Sequence, residues 1–118
     1  MRLFLIVLLS VASFSLAQAH AFLDHADPRV GSTLAASPSA VKGWYTEELE
    51  PAFCKIEVFD GTGKEIDNKD SKVDPTDKTL MVVSVPKLTA GTYKVEWSAV
   101  AVDTHHTTGT FTFTVTGP

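Results

Sequence analysis

Leu88-Thr89-Ala90-Gly91-Thr92-Tyr93 has the form of a tyrosine corner. Gly91 supplies the turn, and the Tyr93 hydroxyl can bond back to upstream backbone as its strand begins. Trp97 follows four residues on with the same strand parity, as a core anchor would. The motif belongs to immunoglobulin-like sandwiches, and its role is structural, so it carries no function.

The rest of the chain agrees with that corner. Thr110–Val115 alternates: Phe111, Phe113 and Val115 share one face, Thr110, Thr112 and Thr114 the other. Phe53–Asp60 runs into the turn Gly61-Thr62-Gly63, Thr79–Val85 stops at Pro86, and Gly91–Val102 is long and apolar. Val41–Thr46 is a weaker strand. Beyond residue 20 no long stretch has helical period. About seven short strands predict an all-β Greek-key sandwich or barrel. Asp67–Asp77, rich in charges of both signs, reads as an exposed, solvated loop.

Met1–Arg2, then the uncharged apolar run Leu3–Leu16 and small residues, make the pattern of a secretory signal peptide. The run is shorter than the ~20 residues of a spanning helix. Cleavage after Ala17, Ala19 or Ala21 satisfies the small-x-small rule and leaves Gln18, His20 or Phe22 first. The expected division is a signal peptide over 1–19 and one domain over 20–118.

The 118 residues carry a net charge of −4, which becomes more negative once Arg2 is removed. Without a basic run or stripe, nucleic acid is excluded as the main partner. Cys54, the single cysteine, can form no internal disulfide and reads as a small buried apolar residue beside Ile56 and Val58.

Four histidines remain to carry chemistry: His20, His25, His105 and His106. In Asp103-Thr104-His105, strand alternation would put carboxylate and imidazole on one face and His106 on the other. A regular strand would carry that pair out of the core face at Tyr93, Val95 and Trp97, to the open mouth of the sandwich. A bulge near Ala99–Ala101 would aim it elsewhere. A chain starting at His20 is a chelate by itself, through its α-amine and ring Nδ1. With Asp103 and His105 it offers three nitrogens and one oxygen. That set suits tetragonal Cu(II), with Ni(II) next, while Zn(II) prefers a tetrahedron.

Further residues share one pattern: His20-Ala21 behind the leader, Ser37-Pro38 before a strand ending in Tyr45-Thr46-Glu47-Glu48-Leu49-Glu50, the stretch Leu88–Trp97, and Val102-Asp103-Thr104-His105 followed by Gly109, Phe111, Phe113 and Val115. With them the chain resembles the CopC family of periplasmic copper-binding proteins across essentially the whole mature chain. The resemblance implies a Greek-key sandwich holding one Cu(II) per chain through His20, Asp103 and His105. It favours cleavage after Ala19 and suggests Glu47 as a partner of the amine or of His20. Some family members also carry a methionine-rich Cu(I) site, but only Met81 lies beyond the leader. His106 stands where many relatives have proline, so His106 and His25 are extra candidate ligands or plain surface histidines.

The function expected from these residues is a non-catalytic, monomeric, periplasmic carrier or buffer of Cu(II), with delivery to an inner-membrane importer of the CopD kind. Two rivals remain. One is a copper-dependent oxidative enzyme built on paired histidines, opposed by the anionic Asp103 in an equatorial position. The other is a sandwich interaction module without metal.

Overall fold

The computed structural model describes residues 21–117. The signal peptide and His20 lie outside the described residues. Eight strands follow in order: β1 Leu23–Asp27, β2 Thr33–Leu34, β3 Ala40–Tyr45, β4 Lys55–Phe59, β5 Lys72–Val73, β6 Leu80–Ser84, β7 Gly91–Val100 and β8 His106–Val115. A 3-10 turn, Pro51–Phe53, precedes β4. The two four-stranded sheets have the orders β1-β3-β6-β5 and β2-β8-β7-β4. Every pairing is antiparallel except β2 with β8. The crossovers between sheets make the expected all-β sandwich.

Alternation along each strand builds the core. Tyr93, Val95, Trp97 and Ala99 of β7 are buried, with Lys94, Glu96 and Ser98 on the outer side. Phe111, Phe113 and Val115 of β8 face the same way, and Val41, Tyr45, Met81 and Val83 meet them from the other sheet. Each such side chain adds ~1.5–3 kcal/mol by leaving water. The tyrosine corner is formed: the Tyr93 hydroxyl donates to the Thr89 carbonyl at 2.6 Å, and its ring stacks on Phe113 at 5.5 Å. Tyr45 meets Trp97 edge-on at 5.1 Å. Its buried hydroxyl has no hydrogen-bond partner among the described residues. Burial, then the Cys54 thiol, pushes the Tyr45 pKa far up.

Two expectations need correction. Cys54 is only half-buried. Its Sγ takes the Val100 N–H at 3.3 Å and donates to the Val100 carbonyl at 3.4 Å, and burial pushes the thiol pKa up. Asp67–Asp77 is not simply a solvated loop. It contains β5, and Asp67 is buried, accepting from Val58 N at 2.8 Å and from Lys69 N at 2.8 Å. Ser71 Oγ takes the Ile56 N–H at 2.9 Å, so the segment caps the outer edge of β4 with side-chain acceptors. The neighbouring carboxyls turn tight loops: Thr62 holds Asp60 below the usual carboxylate range, Ser84 does so for Asp70 and Thr76 for Asp74. Charge count alone could not separate these inward acceptors from solvated ones. Asp67→Ala leaves the Val58 N–H buried without an acceptor, so a loss of ~1–3 kcal/mol is expected in urea unfolding. An unchanged midpoint would show that the edge cap is dispensable.

Candidate metal centre

The β7–β8 hairpin carries Asp103 and His105. Its strands pair without interruption from Gly91↔Val115 to Val100↔His106, so no bulge forms near Ala99–Ala101. Ala101 is still buried, in line with Ala99. The chain then turns: Thr104 N–H donates to the Ala101 carbonyl at 2.8 Å, and Ala101 N–H to the His105 carbonyl at 3.1 Å. This is a three-residue hairpin connection whose last residue, Thr104, is left-handed at φ 76°. The pair thus sits at the mouth of the sandwich, and a turn rather than strand alternation brings it together.

Asp103 Oδ2 stands 3.2 Å from His105 Nδ1, and Asp103 Oδ1 accepts the His105 backbone N–H at 3.2 Å. The side chains are 35% and 46% exposed, open enough for an ion to enter. A carboxylate oxygen and an imidazole nitrogen held this close form a two-donor pair of the kind a divalent ion takes. Among the described residues, no group of three or more His, Cys, Asp or Glu could hold a metal ion.

The left-handed Thr104 is costly, because a β-branched residue crowds its own carbonyl there by ~1–2 kcal/mol. Glycine removes that crowding and adds ~0.5–1 kcal/mol of chain entropy to the unfolded state. Thr104→Gly is therefore expected to stabilise the metal-free protein slightly, read as a rise of the thermal midpoint. A fall would mean that Thr104 makes a compensating contact.

The other sequence-selected residues divide. Glu47 is half-buried on the connection between Thr46, which bonds Phe22, and Glu48, whose carbonyl takes the Val102 N–H at 3.2 Å. His106 opens β8 on the outer face, its Nε2 2.6 Å from Ser98 Oγ. His25 pairs its Nδ1 with Asp24 at 2.7 Å and stacks on Trp44 at 4.5 Å. The partners of these last two histidines, Ser98, Asp24 and Trp44, all lie outside the hairpin turn.

Two threonines hold the start of the domain in place: Thr107, which the sequence did not single out, and Thr46, which it quoted without this role. Thr107 Oγ1 donates to the carbonyl of buried Ala21 at 2.7 Å. Phe22 N–H donates to Thr46 Oγ1 at 3.0 Å, and Thr46 N–H returns to the Phe22 carbonyl at 2.8 Å. Ala21 directly follows His20 in sequence and is tied two residues past His105. Threonines in strands are ordinary, and nothing local marks Thr107; Thr46 stands just past the end of β3.

A two-sheet sandwich presenting a carboxylate–imidazole pair on its closing hairpin defines a small β-sandwich with a candidate metal centre at one end. The CopC domain family model matches residues 23–116, and the chain belongs to the CopC family. It is 38% identical over 109 residues to copper resistance protein C of Pseudomonas syringae pv. tomato, across 86% of this chain and 84% of that one. It is 29% identical over 98 residues to the copper transport protein CutJ of Bacillus subtilis, spanning 82% of this chain but 18% of that one. Among solved structures, CopC from Methylosinus trichosporium OB3b aligns with a TM-score of 0.78 at 32% identity, covering 83% of this chain and 95% of that one. The methionine-rich copper resistance protein PcoC from Escherichia coli aligns at 0.69 and 34%, covering 82% and 99%.

Proposed function

We propose that the mature protein begins at His20 and carries one Cu(II) per chain in the periplasm, as a monomer without catalytic activity. The ion is cargo, held by the α-amine and ring of His20 with Asp103 and His105, and passed to an inner-membrane transporter of the CopD kind. Glu47 supports the amine or the His20 ring. The observation that carries this reading is the Asp103–His105 contact at 3.2 Å on the hairpin that also bonds Ala21. Relatives named for copper resistance and copper transport support the cargo. Asp103 favours a carrier over an oxidative enzyme, because an anionic ligand occupies a position that substrate oxygen would need.

Intact mass and N-terminal sequencing of the exported protein, with and without Cu(II), test the proposal. A start at Gln18 or Phe22 removes the chelate and overturns it.

Release follows from ligand chemistry. Amine, imidazole and carboxylate suit Cu(II), whereas Cu(I) prefers sulfur. Met81 is fully buried, and Cys54 Sγ is engaged with Val100. Ascorbate with a modest Cu(I) chelator is therefore expected to strip the copper, and the chelator alone to leave it. A Cys54→Ser variant that retains stoichiometric Cu(I) under excess chelator would reveal a soft site and refute the Cu(II)-only reading.

A further inference from the structure

Four large apolar side chains are exposed among the described residues: Phe22, Val30, Phe53 and Val102, at 55%, 53%, 66% and 59%. Three of them are fastened to one stretch, 46–53. Phe22 and Thr46 exchange the two hydrogen bonds described above. Val102 donates to the Glu48 carbonyl, and Phe53 N–H donates to the Glu50 carbonyl at 3.1 Å. Buried Leu49 pins the middle of the stretch by bridging to Ala101, and Glu50 N–H bonds the Val100 carbonyl at 2.8 Å. The stretch is thus a fixed sill beside the Asp103–His105 turn. The stretch itself carries three carboxylates, Glu47, Glu48 and Glu50, and the turn beside it carries Asp103. Val30 lies apart, next to Gly31, which bonds Thr112 far along β8.

We infer that this sill is the docking face for the protein that accepts the copper, and that the acceptor presents an apolar seat ringed by lysine and arginine. The inference rests on the carrier reading. Charge selects the occupant. A second copy in a two-fold contact would set this acidic stretch against the same stretch of its partner, and like charges facing each other oppose association. An anionic membrane surface is repelled in the same way. A basic protein face is attracted, with fast and salt-sensitive encounter. Docking beside the turn brings acceptor ligands to the ion without opening the sandwich, since Asp103 and His105 are already part-exposed.

The test uses the full copper-loaded chain in its own cells, with a benzophenone-bearing phenylalanine at position 53 and, as control, at position 30. Position 53 is expected to cross-link to a Lys/Arg-rich segment of a membrane protein, and position 30 is not. Glu48→Lys with Glu50→Lys is expected to cut that product about tenfold, as charge reversal slows steered encounter. Equal labelling from both positions, or cross-links only to a second copy or to lipid, overturns the docking face. Cu(II) titration of the same purified proteins keeps the two ideas apart. Normal Cu(II) uptake without preferential labelling sinks the docking face alone, while absence of Cu(II) uptake in the unsubstituted protein sinks the carrier reading.

Discussion

His105→Ala is expected to lower the Cu(II) affinity of the mature protein at least about 100-fold, more than is typical for loss of an outer-shell partner. The substitution removes the one imidazole that the hairpin turn holds against Asp103, at 3.2 Å. His106→Ala is expected to change affinity little, because that ring is bound to Ser98 on the outer face. Both effects are read by competitive Cu(II) titration. Binding requires a neutral α-amine, with a reference pKa of ~7.7–8.0. Affinity therefore falls as pH falls through that range. If His106→Ala abolished binding and His105→Ala did not, the turn would not be the metal site.

The second large effect concerns the frame behind the turn. Gly109 lies opposite Trp97 in the β7–β8 ladder. A Cβ on Gly109 would meet the Trp97 ring, 2.6 Å from Cε2 and 2.9 Å from Nε1. The ring cannot swing aside, because Trp97 is buried and Tyr45 stands edge-on to it. Gly109→Ala should therefore push the two strands or the two sheets apart, at a cost of about 3 kcal/mol. That is a large share of the ~5–15 kcal/mol of a typical domain and lowers Tm by more than ~10 °C. Trp97→Phe in the same chain is expected to recover part of the loss, because the smaller ring leaves room for the methyl group. A full double-mutant cycle reads that coupling. An unchanged Tm for Gly109→Ala would mean that the strands yield freely.

The alternation of Phe111, Phe113 and Val115, the corner at Tyr93 and the turn at Gly61–Gly63 were enough to determine a β-sandwich. Those signals are local: side-chain period and turn chemistry depend on residues within a few positions of each other. The residue types of the candidate site were legible as well, since Asp103 and His105 are two apart in sequence. Their means of approach was not. Strand alternation and a bulge were the local expectations, and the observed turn depends on where β8 meets β7. That register places Val100 opposite His106 and leaves Val102–Thr104 to close the hairpin. The same limit hid β5 and the inward Asp67, whose donor partner Val58 is nine residues away on an edge strand. It also hid Thr107 and Thr46 as the anchors of Ala21 and Phe22, contacts that span 86 and 24 residues. Composition and period determined which faces are apolar and which residues could hold a metal. Only the packing of two sheets decided which polar groups turn inward and which residues meet at the mouth, because partners that distant become neighbours only once the strands have paired.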